Sequence, residues 1–170
     1  MLLQVLAWRG NYMKRPNSSM QLTRAADYAV RVMVQLAASP TEQRVLLPEL
    51  AAATDAPESF LSKVLQALSH AGLIDSKRGH TGGFYISPRG RGASMLEVIE
   101  AIDGPISLNL CLVSGRSCHR MAHCPAHPVW QRAQAAMFDV LSQAKIAEMA
   151  DEQAQPVCAG NCGQQEFNQI

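Results

Sequence analysis

The sequence predicts a mainly α-helical fold with a small β-hairpin and a long helix near the C-terminus. Apolar residues recur at helical spacing in several segments, residues that start and stop helices bracket those segments, and two short strand-like runs flank a glycine-rich turn. Thr23 caps a first helix over 24–38, whose apolar face is Ala26, Ala29, Val30, Met33, Val34 and Ala37; Ser39-Pro40 stops it. Pro48 opens a second helix to Thr54, because a first-turn proline lacks only an N–H that the helix leaves unbonded anyway. Asp55-Ala56 makes a turn, and Pro57 leads into a third helix over 58–71, ended by Gly72, with Phe60, Leu61, Val64, Leu65 and Leu68 as its buried stripe.

Residues 73–77 read as a strand, 78–83 as a turn with three glycines, 84–87 as the returning strand and 88–92 as a linker. Ser94 and Glu97 form a capping box for a helix over 95–102. A polar loop over 107–127 follows, and then one long helix from Pro128 to about Met149. Its apolar side (Val129, Ala133, Ala136, Met137, Val140, Leu141, Ala144) exceeds what so small a domain can cover, so a second copy is expected against it. Two short helices and a glycine-tipped hairpin make a winged helix-turn-helix. The fold class is therefore mainly α with a small β-hairpin wing: a winged helix-turn-helix plus a long C-terminal dimerisation helix. The expected organisation is an extra, disordered N-terminal arm (1–19), a DNA-binding domain (20–92), a unit of capped helix, cysteine loop and dimerisation helix (93–150), and a disordered tail (151–170). Met13 and Met20 are both candidate starts.

Composition limits the function. The 170 residues carry a net charge of +1, so affinity for nucleic acid must come from a local basic patch and from pairing of two copies. No apolar run is long enough to span a bilayer, and no secretion signal is evident, which predicts a cytoplasmic protein with no membrane partner. In a reducing compartment its five cysteines suit metal binding or redox work better than disulfides. Phosphate-cradling loops, nucleophile elbows and paired carboxylates are not found, so an enzyme is not expected.

In a winged helix-turn-helix the second helix of the pair enters the major groove of double-stranded DNA. Ser59, Ser62 and Gln66 are placed to reach base edges there, and Lys63 to reach a phosphate or a guanine. In the wing, Lys77, Arg78 and His80 sit beside glycines that allow close backbone approach, and Arg89 and Arg91 extend the basic patch.

Cys111, Cys118 and Cys124 lie in the loop, with six and five residues between successive members. Thiolates are soft ligands suited to iron–sulfur clusters or zinc. Structural zinc sites more often begin with a tight cysteine knuckle, which this loop lacks. Cys158 and Cys162 form a second pair in the tail, read as thiols without a defined role.

Four segments, Met20 to Arg31 (MQLTRAADYAVR), Ser59 to Leu65 (SFLSKVL), Ala71 to Ile74 (AGLI) and Arg78 to Phe84 (RGHTGGF), together resemble the winged-helix repressor family that includes IscR, NsrR and RirA. The resemblance spans about residues 20–149 and implies a homodimer on operator DNA. It further implies that Cys111, Cys118 and Cys124 hold an iron–sulfur cluster (4Fe-4S or 2Fe-2S) sensing nitric oxide, iron–sulfur or iron status, or redox state. It offers two fourth ligands: Asp27, at the position from which nitric-oxide-sensing members supply an aspartate across the dimer, and His127, where the IscR branch supplies a histidine. His119 and His123 are nearby but read as solvated loop residues. Two rivals remain: a zinc-stabilised module using the three cysteines and His127, and a metal-free thiol-redox regulator switched by a disulfide.

Overall fold

A computed structural model describes residues 22–40, 43–77, 79, 82–113 and 118–154. The expected arm over 1–19, Arg78, His80, Cys158 and Cys162 lie outside these residues.

The core is built around α1 (Arg24–Ala38), which buries Ala26, Ala29, Val32, Met33, Leu36 and Ala37. Thr23 caps it, its hydroxyl oxygen accepting the N–H of Ala26 at 3.2 Å while the hydroxyl donates to Asp103 at 2.6 Å. α2 (Leu47–Thr54) begins one residue earlier than expected, where the Glu49 carboxylate accepts the N–H of Leu46 at 2.9 Å. It ends on Asp55, whose φ of 53° places a non-glycine residue in the left-handed region that Asp tolerates better than most. That single reversal lets Pro57 start α3 (Glu58–His70) across α2, making the helix-turn-helix.

α3 buries Leu61, Val64, Leu65 and Leu68. Phe60, expected in this stripe, is 38 % exposed and meets only the edge of the Tyr28 ring, at 5.6 Å between centroids. Leu61, next to it on the same turn, takes the core-facing position instead.

β1 (Ile74–Lys77) and β2 (Gly83–Ile86) pair antiparallel with Ile74 opposite Ile86 and Lys77 opposite Gly83. Val45 adds an unanticipated third limb: it exchanges both backbone hydrogen bonds with Phe84 at 2.9 Å, tying the segment before α2 to the wing. The expected linker at 88–92 is a helical turn, α4 (Pro88–Arg91). The Ser87 hydroxyl donates to the Gly72 carbonyl at 2.7 Å and accepts the Gly90 N–H at 2.9 Å. Gly90 is required here, because a Cβ would fall 1.9 Å from the Leu73 carbonyl oxygen.

α5 (Met95–Asp103) starts on the expected capping box. The single long helix expected after the cysteine loop is instead two. α6 (His127–Gln143) stops at Ala144, and α7 (Ile146–Ala154) turns back onto α1 and buries Ile146 and Ala150. The break is held from outside: the Met95 N–H donates to the Ala144 carbonyl at 2.8 Å and the Ile146 N–H to the Ala93 carbonyl at 3.0 Å. Burying Ile146 contributes about 1.5–3 kcal/mol, which favours the turn over a continued helix exposing it. Residues 151–154, expected in the tail, belong to α7.

Candidate functional site

The polar face of α3 is free of the core. Ser59, Lys63 and Gln66 are exposed and Ser62 half-exposed, with the Ser62 hydroxyl donating to the Ser59 carbonyl at 3.1 Å. Lys77 is exposed at the hairpin end. These five expected DNA-facing residues thus stand on two adjoining elements. Arg89 is exposed and tethered, its Nη1 donating to the Ala71 carbonyl at the C-terminus of α3. It serves as a helix cap, satisfying a carbonyl the last turn leaves open.

The cysteine loop leaves α5 at Gly104, with φ 76°. Cys111 sits in a single 3-10 turn, Leu110–Leu112, whose first N–H donates to the Asn109 side chain at 2.7 Å. The Cys118 carbonyl accepts the N–H of Met121 at 2.9 Å, beginning a second such turn, Met121–His123. Cys124 closes that turn, and its carbonyl accepts the His127 N–H at 3.1 Å, which starts α6. Each cysteine is therefore placed by backbone bonds of the short turns around it.

The three thiols are unpaired; Cys111 and Cys124 are half-buried and Cys118 is exposed. All three line one cavity of about 440 Å³ with His127 and Trp130. A second cavity of about 520 Å³ adjoins it, and Cys111, Met121 and His127 line both. The His127 Nδ1 is buried there without a hydrogen-bond partner among the described residues. A buried ring nitrogen with no partner is costly unless something binds it. Among the described residues, no three His, Cys, Asp or Glu side chains are drawn close enough to grip a metal ion as they stand. The soft donors and the shared cavity fit a metal group held by Cys111, Cys118, Cys124 and His127.

Asp27 lines neither cavity of its own chain and is paired with Arg31 at 2.9 Å. His119 and His123 are exposed. Sequence reasoning missed Trp130 and Gln134, which share the inward face of α6 with His127 at helical spacing. That spacing was legible, but the apolar stripe beside it, which includes half-buried Met137 and Leu141, dominated the pattern.

The family model Rrf2, described as iron-dependent transcriptional regulator, matches residues 22–152. The chain belongs to the Rrf2 family. A Mycobacterium tuberculosis protein named as an HTH-type transcriptional regulator is 33 % identical over 131 residues, covering 77 % of this chain and 81 % of its own. The HTH-type transcriptional regulator NsrR of Geobacillus kaustophilus is 29 % identical over 136 residues, covering 79 % and 92 %. The solved structure of T. potens IscR superposes with a TM-score of 0.65 at 21 % identity, covering 84 % of this chain and 95 % of that one, a likeness of fold. The Rrf2 chain is thus a transcriptional regulator rather than an enzyme, with a mostly helical, winged fold, and none of its described helices is long and apolar enough to cross a membrane.

Proposed function

We propose that this Rrf2 protein is a cytoplasmic repressor that binds operator DNA as a homodimer and responds through an iron–sulfur cluster held by Cys111, Cys118 and Cys124, with His127 as the fourth ligand. The observation that carries this reading is that the three thiols and half-buried His127 line the same cavity, and that the His127 Nδ1 has no hydrogen-bond partner among the described residues. When bound, such a cluster would supply a centre sensitive to nitric oxide, iron supply or redox state.

The rest is work for the chain's own residues. Ser59, Ser62 and Gln66 read base edges in the major groove and Lys63 contacts a phosphate beside them, while Lys77, with Arg78 and His80, holds the flanking backbone. Val129 and Val140, 53 % and 68 % exposed, stand with exposed Ala133 and Ala136 on one face of α6. The alanines let a second α6 approach closely and the valines supply apolar area. The loop ends on α6, and α6 ends where Ala93 and Met95 pin Ala144 and Ile146, so a change in the loop reaches the reading head through that pin.

Anaerobic purification tests the reading. A brown protein with thiolate-to-iron absorption and stoichiometric iron and sulfide is expected, and His127→Ala should alter that spectrum. Zinc alone, or a colourless protein whose operator binding follows a disulfide among the loop cysteines, overturns it.

A further inference from the structure

The loop limb that carries Cys111 is joined to α6 by one side chain. Gln134 is half-buried, and its Oε1 accepts the backbone N–H of Leu108 at 3.0 Å, across 26 residues of sequence. Among the described residues this is the hydrogen bond that ties the first limb of the loop to α6. Gln134 lies two turns beyond His127 on the same helix face, and both line the cavity that also contains Cys111. Leu108 precedes Cys111 by three residues, a reach of at most about 11 Å. Fixing Leu108 therefore limits where that thiol can go relative to His127, while the 3-10 turn capped by Asn109 sets its direction.

We infer that Gln134 is a positioning residue for the cluster site: its amide oxygen holds the Leu108 limb so that Cys111 and His127, from separate segments, face one volume. This rests on the cluster reading for its purpose but not for its geometry. An apolar side chain of similar length cannot accept the bond, and the Leu108 N–H would turn to water, taking the limb with it. Glutamate retains an acceptor oxygen at the same reach.

The test uses the full chain in two states. In metal-free protein, amide exchange of the 105–112 segment and alkylation of Cys111 by iodoacetamide are followed by mass spectrometry. Gln134→Leu should raise both rates several-fold, with Cys118 as an unaffected internal control, and Gln134→Glu should keep the slow exchange. Gln134→Ala repeats the loss with a smaller side chain, should the leucine disturb packing. In cluster-loaded protein, Gln134→Leu should shorten the cluster's lifetime under a chelator several-fold, and Gln134→Glu should restore it. Unchanged exchange in both loss variants, faster exchange with unchanged Cys111 alkylation, or a Glu variant that behaves like Leu each overturns the inference. A wild-type protein that takes up no cluster sinks the cluster reading alone, and the metal-free measurements still decide the role of Gln134.

Discussion

Asp27 and Arg31 form an ion pair at 2.9 Å one helical turn apart on the outer side of α1, and the Arg31 guanidinium also lies 5.9 Å over the ring of Tyr28. Asp27 thus has a partner, whereas the Nδ1 of His127, a residue lining the cysteine cavity, has none among the described residues. To serve as a ligand across a dimer, Asp27 would have to share its carboxylate with Arg31 or give up this exposed pair, which is worth only about 0.3–0.5 kcal/mol. With His127 as the proposed ligand, Asp27→Ala is expected to leave the visible spectrum of the anaerobic protein close to wild type, and His127→Ala to shift or bleach it. The reverse pattern would make Asp27 the ligand.

On the proposed reading, the exposed face of α3 makes two kinds of contact with DNA. Lys63→Ala should weaken operator and non-operator DNA about equally and lower the slope of log affinity against log salt by about 1. Gln66→Ala should cost about 1–3 kcal/mol on the operator and relax discrimination at one base pair. Titrations at two salt concentrations distinguish these outcomes. Arg89→Ala should lower stability, read by denaturant unfolding, because its guanidinium caps α3.

Val140 is 68 % exposed in a single chain, on the same α6 face as Ala133 and Ala136. Burying a carboxylate there without a partner is costly. Val140→Glu or Ala136→Glu should shift the protein toward monomer in sedimentation and reduce operator affinity at least tenfold, with the helical content unchanged.

Gly90 allows α4 to lie against Leu73, since a methyl group would meet the Leu73 carbonyl oxygen at 1.9 Å. Backbone cannot yield as a flexible side chain does. Gly90→Ala should destabilise the fold by about 2–3 kcal/mol, measured by denaturant unfolding.

Glu97 is held below the usual glutamate range, chiefly by the backbone N–H of Ser94, against which its burial acts, with further help from the Ser94 hydroxyl and the charges of Lys145 and Arg89. A carboxyl whose folded pKa is depressed contributes stability that is present above its unfolded pKa and lost as pH falls through the folded value. Glu97→Gln should flatten the decline in stability below the ordinary glutamate range and change little at pH 7 beyond the charge-assisted part of the cap. Ser94→Ala should cost about 1 kcal/mol throughout. Thermal unfolding across pH 3 to 7 reads both.

What was legible in the sequence was local. The Thr23 cap, the Ser94–Glu97 box, the Leu61–Leu68 stripe and the glycine-tipped hairpin are set by residues within a few positions of one another. What was not legible depends on partners far along the chain. Ala144-Lys145 carries no proline or glycine to announce a break, and the bonds that end α6 come from Ala93 and Met95 about fifty residues earlier. Val45 joins the wing only because Phe84 arrives beside it. At the site, cysteine identity and spacing could be read directly. The shared cavity with His127 and the Gln134 tether required knowing which face of α6 turns inward.

The return of α7 onto α1 has a practical consequence. Because Ile146 and Ala150 complete the hydrophobic centre of the N-terminal half, the winged helix-turn-helix and the segment after it are not beads on a string. A chimera that grafts residues 22–92 onto a foreign effector module would remove α5 and α7, which pack against α1, and uncover part of its apolar face. Swapping specificity in this scaffold calls for exchanging the outward residues of α3 within the intact polypeptide.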